Sequence, residues 1–252
     1  MCTAIAGCEG VFHVASPVVM GKLQNPEVEV ITPAVTGTLN VLKASDEAKI
    51  KRVVVVSSIA AIVLNANWPQ DRPMDEDCWS ERELCKITEN WYCLAKTMAE
   101  REALDFGERT GLKIVTISPS LAIGPCLQSK LNYSSSFLLN LFKEGEEPME
   151  RRVWYLVDVR DVIEAMLLIY LNPAATGRYI CTTQAIRISD LVEKLKHMYP
   201  NYSYTKNFIE IDQEQELSSE KMQRLGWRPR RFEDSLVDAV DYFKEVGFLS
   251  KD

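Results

Sequence analysis

The stretch that decides the fold is Arg52-Val53-Val54-Val55-Val56-Ser57-Ser58. Four consecutive valines predict a strand, because β-branched side chains lose rotamer freedom in a helix and pack well on a pleated surface. A strand that is apolar throughout is typical of a parallel sheet with both faces covered. Similar segments occur at Val11–Ala15 and Lys113–Ile117, with helical patterns between them. This alternation predicts an α/β fold with a doubly wound, Rossmann-like parallel sheet.

Between the predicted strands, apolar residues recur at helical spacing. This periodicity predicts helices from Pro26 to about Ala48 and from Trp91 to about Arg109, the second ended by Gly111. Downstream, a helix followed by a charged loop with Gly and Pro is expected over 132–150. Further helices are expected at 158–171, 189–199, 218–225 and 233–246, with a strand at 178–181. We therefore expect a Rossmann-like domain over 1–125 and a smaller, mainly helical lobe over 126–252. Some segments of that lobe, about 151–182, are expected to return to the sheet.

Composition excludes several classes of function. The 252 residues carry a net charge of −7 and no long basic run, so nucleic acid is not an expected partner. No apolar run is long enough to span a membrane, and the two histidines lie far apart without a zinc motif, so no metal is expected. Seven cysteines without a C-x-x-C pair predict a reducing, cytoplasmic setting.

Tyr92 and Lys96 stand four residues apart at the start of a predicted helix, so their side chains share one face. A lysine ammonium there stabilises the phenolate and lowers the tyrosine pKa toward a range useful for proton transfer. Ser57 and Ser58 end the preceding strand and can reach this face. Alone, the pair is also the kind that occurs by chance on a helix surface. Ligands in open parallel sheets bind beyond the carboxyl ends of the strands, which here are small or polar.

Seven motifs in order resemble a known family. They are VFHVASP (11–17), VTGTLNVLKA (35–44), KRVVVVSSIAA (51–61), ENWYCLAKTMAE (89–100), ISPSLAIGP (117–125), YLVDVRDVIEAM (155–166) and GRYICT (177–182). Their order resembles the extended short-chain dehydrogenase/reductases, and within them the plant cinnamoyl-CoA reductase and cinnamoyl-CoA reductase-like group. Dihydroflavonol 4-reductases are near relatives. The resemblance implies that 1–125 is part of an NAD(P)-binding domain and 126–252 the substrate lobe.

The resemblance also implies roles for single residues. Ser58 would orient a substrate carbonyl, with Ser57 the less favoured candidate. Tyr92 would be the general acid/base, and Lys96 would lower its pKa and bond the nicotinamide ribose. The implied contacts of the cofactor NADPH are Val14, Ala15, Ser16, Tyr92, Lys96, Pro119, Ser120, Leu121, Ala122 and Ser134. Without the resemblance, Pro119 to Ala122 would be interpreted as an ordinary strand-ending turn.

The implied reaction is reduction of a small phenylpropanoid-type substrate, a hydroxycinnamoyl-CoA thioester in the typical enzymes, by a monomer. Phe137 and Asn140 stand where typical members have a His and a Lys that read CoA, which favours another carbonyl. Phe137 could equally be a core residue. Three alternatives stay open: a dihydroflavonol 4-reductase-like enzyme, an epimerase or dehydratase with bound NAD, and a catalytically silent chain.

The residues that hold a dinucleotide's phosphates are not recognisable. No Gly-rich turn links a strand to a helix in the 252 residues. The resemblance implies that roughly seventy residues, containing this turn and the cofactor-selecting residues, would precede Met1. We therefore expect the chain as given to bind NADPH weakly and to be marginally stable; micromolar binding by isothermal titration would contradict this.

Two further residue types invite interpretation. Cys85 and Cys93 lie eight residues apart around Tyr92, a spacing also seen in the group. They could form a redox-sensitive disulfide or remain two reduced thiols. His13, within a predicted strand, is interpreted as a buried histidine with a hydrogen-bond partner and not as a catalyst.

Overall fold

The computed structural model describes residues 1–18, 23–143, 149–210 and 215–250. Its strands are β1 (Gly10–His13), β2 (Arg52–Val56), β3 (Ile114–Pro119), β4 (Leu121–Ile123), β5 (Met149–Arg151), β6 (Val153–Asp158), β7 (Gly177–Cys181), β8 (Gln184–Arg187) and β9 (Phe208–Glu210). Its α-helices are α1 (Cys2–Ile5), α2 (Thr32–Glu47), α3 (Arg82–Ile87), α4 (Trp91–Thr110), α5 (Tyr133–Asn140), α6 (Val159–Leu171), α7 (Ile188–Met198), α8 (Glu220–Arg224) and α9 (Phe232–Glu245).

The main sheet has the order β1-β2-β3-β7, and each neighbouring pair is parallel. In the valine strand, Val53, Val54 and Val55 are buried because helices cover the sheet. Val53 is in register with Ile114, and Val56 with Ile117. The predicted parallel α/β fold is confirmed, and β7 is the later segment that joins the sheet.

Asn90 and Gly111 set the two ends of helix α4. The Asn90 side chain accepts a hydrogen bond from the Cys93 backbone N–H at 3.2 Å, which satisfies a free donor of the first turn. Gly111 ends the helix in the left-handed conformation, with φ of 79°. The apolar face of α4 packs against the start of α2 and the π-helical turn Glu27–Ile31 that precedes α2. The helix therefore has a fixed position over the sheet.

The chain divides into two compact units. The first comprises Met1–Pro119, Glu164–Cys181 and Ser218–Trp227, and the second comprises Ser120–Ile163, Thr182–Leu217 and Arg228–Asp252. The units are interleaved in sequence, whereas the sequence prediction drew one main boundary near residue 125. The first unit contains the parallel sheet with α2 and α4.

The second unit combines helices with two small sheets. Strands β4, β6 and β8 form one sheet, and β5 pairs with β9 in the other. Its core is built from apolar side chains of α5, α7 and α9 together with Ile123 and Leu156 from β4 and β6. The sequence prediction placed mainly helices here, because β4, β5, β8 and β9 have only three or four residues and the six residues of β6 show no alternating burial.

No helix in the described part of the chain is long and apolar enough to cross a membrane.

Candidate active site

The carboxyl ends of three strands lie along one edge of the main sheet. Strand β1 ends at His13, β2 at Val56 and β3 at Pro119, and all three run parallel. Ser57 and Ser58 follow β2 directly. This is the edge at which open α/β sheets bind their ligands.

Ser58 and Tyr92 meet at this edge. The Ser58 hydroxyl lies close enough to the Tyr92 phenol to lower its pKa. The Ser58 Oγ also accepts a hydrogen bond from the Ala60 backbone N–H at 3.1 Å, because Ser58 caps the 3-10 turn Ile59–Ala61. The cap fixes the serine, and the first turn of α4 fixes the tyrosine. Two hydroxyls that the sequence places 34 residues apart are thus held together.

Lys96 lies one helical turn beyond Tyr92 and is buried. Its Nζ is 5.9 Å from the centre of the Tyr92 ring and donates a hydrogen bond to the Val56 carbonyl oxygen at 3.2 Å. Burial lowers the pKa of Lys96 to about 8, although the Glu100 carboxylate acts in the opposite direction. The Lys96 side chain therefore titrates much closer to neutral pH than an ordinary lysine does.

The charge state of Tyr92 differs from the sequence expectation. Burial raises the pKa of Tyr92, and the neighbouring Ser58 hydroxyl opposes this. Lys96 was expected to lower this pKa. In the structure its ammonium is directed to the carbonyl oxygen of Val56, so burial dominates. The phenol is therefore protonated at neutral pH.

Ser57 has another partner. Its Oγ donates a hydrogen bond to the Glu100 Oε2 at 2.7 Å, and both residues are buried. This geometry favours Ser58 over Ser57 as the hydroxyl available to a substrate. Glu100 was not predicted from the sequence. It follows Lys96 by four residues, on a helix face that also carries Ala95, Ala99 and Ala103. A charged residue on such an apolar face is the signal that could have identified it.

His13 is buried, and its Nε2 lies 2.9 Å from the Thr38 Oγ1. Burial first, and the nearby Lys96 second, lower the pKa of His13, so the ring is neutral near pH 7. The interpretation of His13 as a buried histidine with a hydrogen-bond partner is confirmed. His13, Ser16, Ser57, Lys96 and Glu100 line a cavity of about 10 Å³, roughly the space of one water molecule.

The remaining predicted cofactor contacts are divided between the two units. Val14 and Ala15 are exposed and Ser16 is half-buried, all after β1 in the first unit, and Pro119 ends β3 there. Ser120, Leu121, Ala122 and Ser134 belong to the second unit. Among the residues that the structure describes, the buried Ser118 and Ser120 hydroxyls have no hydrogen-bond partner. The roles of all these residues remain predictions.

Comparison with known proteins identifies the family. The model of the NAD dependent epimerase/dehydratase family matches residues 2–180. The chain belongs to this family. Cinnamoyl-CoA reductase 1 of Petunia hybrida is 36% identical over 98% of this chain and 74% of the relative. Tetraketide alpha-pyrone reductase 1 of Arabidopsis thaliana is 36% identical over 98% of this chain and 76% of the relative.

A solved structure agrees. Vestitone reductase from alfalfa (Medicago sativa) superposes with a TM-score of 0.84 at 30% identity, covering 98% of this chain and 79% of that one. Membership of the epimerase/dehydratase family and the resemblance to the cinnamoyl-CoA reductase group are therefore confirmed.

The family implies a nicotinamide cofactor, and the residues of the first unit fit its nicotinamide and ribose end. Val14 and Ala15 leave backbone accessible at the strand end. Within the described residues, the Lys96 ammonium uses one of its donors, on Val56, so others can reach a ribose hydroxyl. No described cluster of His, Cys, Asp or Glu could hold a metal.

Phe137 has a structural role. It is buried in the core of the second unit, with its ring centre 4.1 Å from that of Trp154. Asn140 is exposed at the end of α5. The alternative of Phe137 as a core residue is therefore confirmed.

Cys85 and Cys93 are both free and buried. Burial raises the pKa of the Cys85 thiol, which makes it a poor nucleophile. The structure thus has the reduced alternative of the two considered for this pair.

Proposed function

We propose that this protein is an NADPH-dependent reductase that converts the carbonyl group of a small phenylpropanoid-type molecule to an alcohol. The observation that carries the proposal is the neighbouring pair Ser58 and Tyr92, with Lys96 one turn beyond Tyr92, at the carboxyl edge of a parallel sheet. The names of the relatives, reductases of a cinnamoyl-CoA, a pyrone and vestitone, support the substrate class.

Ser58 and Tyr92 act together on the substrate oxygen. The Ser58 hydroxyl donates a hydrogen bond that holds the carbonyl oxygen, and the Tyr92 phenol lies beside the same oxygen. NADPH, when bound, supplies the hydride. As negative charge develops on the oxygen, Tyr92 donates its proton and becomes a phenolate. The raised pKa of Tyr92 keeps the phenol protonated before the reaction, as reduction requires.

Lys96 prepares and restores this acid. Its ammonium stabilises the phenolate that remains after proton transfer and also bonds the ribose of the cofactor. With a pKa of about 8, Lys96 can pass a proton on near neutral pH. Val14, Ala15, Ser16, Pro119, Ser120, Leu121, Ala122 and Ser134 are proposed as further cofactor contacts.

The substrate is proposed to be a ketone or aldehyde and not a CoA thioester. Phe137 fills the core at the position where typical cinnamoyl-CoA reductases carry a histidine, so it offers no donor to CoA phosphates. A dihydroflavonol-type ketone is therefore favoured within the class. We further propose a cytoplasmic location, which the free thiols support. We also propose a monomer, as the family resemblance implies.

The test is a panel of carbonyl substrates. The purified protein, at an NADPH concentration that saturates it by titration, is given a dihydroflavonol, a phenylpropanoid aldehyde and feruloyl-CoA. NADPH oxidation with a ketone or aldehyde, with the reduced product identified by mass spectrometry, is the expected result. Turnover of feruloyl-CoA alone would overturn the substrate assignment, and no turnover with any carbonyl would overturn the proposed function.

A further inference from the structure

A buried carboxylate lies below the proposed catalytic pair. The Glu100 side chain is fully buried and stands four residues after Lys96 on α4, so both project from the same face. Its oxygens accept hydrogen bonds from Ser57 Oγ at 2.7 Å, Thr116 Oγ1 at 2.6 Å and Arg178 Nε at 3.0 Å. A carboxylate with these three donors is held in one position.

Arg178 forms a buried ion pair with Glu100, and its guanidinium is also held by other contacts. Its Nη1 donates to the carbonyl oxygens of Glu76 at 2.7 Å and Cys78 at 2.6 Å. The guanidinium also lies 3.5 Å from the centre of the Trp79 ring. The guanidinium can therefore not swing away from Glu100 without leaving buried carbonyl groups unpaired.

Such a pair is weak evidence for a role in stability. Removing two charges from water costs several kcal/mol per ion, and apolar replacements of similar volume often serve the fold as well. The location of the pair suggests another role. Glu100 lines the same small cavity as Lys96 and Ser57, and it bonds the serine that stands next to Ser58.

We propose that Glu100, fixed by Arg178, is a positioning residue of the reductase site: it is the fixed negative charge that keeps Lys96 an ammonium, and it anchors the Ser57–Ser58 turn beside Tyr92. The inference rests on the proposed function for its catalytic meaning. Glu100 acts through Lys96 and Ser57 and touches neither substrate nor cofactor.

The electrostatics of the site agree with the geometry. Burial lowers the pKa of Lys96, and Glu100 is the neighbour that raises it again. The other charged or titratable groups around the two residues, within the described chain, are His13 from β1, Tyr92 and Arg101 from α4, and Arg178 from β7. His13 is neutral near pH 7, so it cannot replace the charge of Glu100.

The test is the titration of Lys96 itself. Wild type, Glu100→Gln and Thr116→Val are labelled with ¹³C at lysine Cε, and Lys96→Arg assigns the signal. Thr116→Val removes one hydrogen bond from the carboxylate and leaves its charge, so it is the matched control. We expect the Lys96 midpoint to fall by about one pH unit or more in Glu100→Gln and to stay at the wild-type value in Thr116→Val.

Glu100→Gln leaves the Arg178 guanidinium without its carboxylate and could prevent folding. The double variant Glu100→Gln/Arg178→Met removes both charges and serves as the second test, with the same expected fall. A Lys96 midpoint in the folded single or double variant equal to that of Thr116→Val would overturn the proposal.

The titration needs no substrate, so it separates the two proposals. If activity is found, the alkaline fall of kcat/KM should move to lower pH with the Lys96 midpoint in Glu100→Gln. If no carbonyl is reduced, the proposed function fails while the titration still decides the role of Glu100.

Discussion

Two adjacent serines have opposite surroundings, and this difference is the sharpest result for a single residue. The Ser58 hydroxyl neighbours the Tyr92 phenol, whereas Ser57 donates to the buried Glu100. Sequence reasoning favoured Ser58 only through a family resemblance. The structure supplies a physical reason, because a hydroxyl that already donates to a buried carboxylate is not free to donate to a substrate.

We therefore predict that Ser58→Ala lowers kcat/KM about 10²-fold or more, since it removes a donor aimed at the developing oxyanion. Ser57→Ala is the matched control and should stay within about tenfold of wild type. Steady-state NADPH oxidation measures both. Equal losses in the two variants would remove the distinction between the serines.

Lys96 should reduce stability at neutral pH. The folded protein releases the Lys96 proton near pH 8, and the unfolded chain near 10.5. Between these values the unfolded chain binds more protons, so wild-type stability rises with pH. We predict that Lys96→Met raises the free energy of unfolding by about 1–3 kcal/mol at pH 7, and that the gain shrinks from pH 8 to 10.5.

Urea denaturation at several pH values checks this prediction, with Lys86→Met, on the exposed side of α3, as the control. If Lys96→Met is less stable than wild type at pH 7, then burial of the Lys96 ammonium does not lower the free energy of unfolding, and the prediction is wrong. The variant should also lose activity, because the phenolate of Tyr92 is then left without its cation.

At this scale the sequence predicted the Tyr-x-x-x-Lys pair and the two serines, because their spacing on one helix and one strand is a local property. Glu100 and Arg178 were not predicted as a pair, since they lie 78 residues apart and meet only after the sheet forms. Burial also decided the pKa of Tyr92, which local spacing could not reveal.

Among the elements, α6 depends on a buried carboxylate at its start. The Asp158 Oδ1 accepts the Arg160 backbone N–H at 2.8 Å, and its oxygens accept from the Arg160 and Arg230 guanidinium groups. Burial raises the pKa of Asp158, but these hydrogen bonds and that from Ser235 outweigh it and bring the pKa to about 2. The neighbouring Asp161 pairs with Arg230.

Asp158→Ala should destabilise the protein by about 2–3 kcal/mol, because it removes the buried carboxylate that accepts hydrogen bonds from Arg160 and Arg230. Arg160 keeps its ion pair with Asp238, and Arg230 keeps its ion pair with Asp161. Asp190→Ala, an exposed acid in the first turn of α7, is the control and should cost less than about 1 kcal/mol. Chemical denaturation followed by circular dichroism gives both values. A cost for Asp158→Ala no larger than that of the control would contradict the role assigned to Asp158.

The same carboxylate predicts behaviour in acid. Its folded pKa of about 2 lies below the ordinary 3.8, so its contribution is complete above pH 3.8 and is lost as the pH falls through 2. Between pH 3.8 and 2, the free energy of unfolding should therefore fall less steeply with decreasing pH in Asp158→Ala than in wild type.

For the whole molecule, the parallel sheet was predictable because the run Val53 to Val56 strongly favours a strand that is buried on both faces. The interleaving of the two units was not predictable, because it depends on where α6 and β7 return in space. Strands β4, β6 and β8 were missed because β4 and β8 have only three or four residues and β6 shows no alternating burial.

The central claim is that Tyr92 is the proton donor of a carbonyl reductase. The most direct test is kcat/KM for NADPH-dependent reduction by Tyr92→Phe, with Tyr242→Phe on α9 as the control. We predict a loss of about 10²–10⁴-fold in Tyr92→Phe, unchanged NADPH binding by titration, and activity near wild type in Tyr242→Phe. A Tyr92→Phe protein that is folded and reduces the same carbonyl within about threefold of wild type would contradict the account.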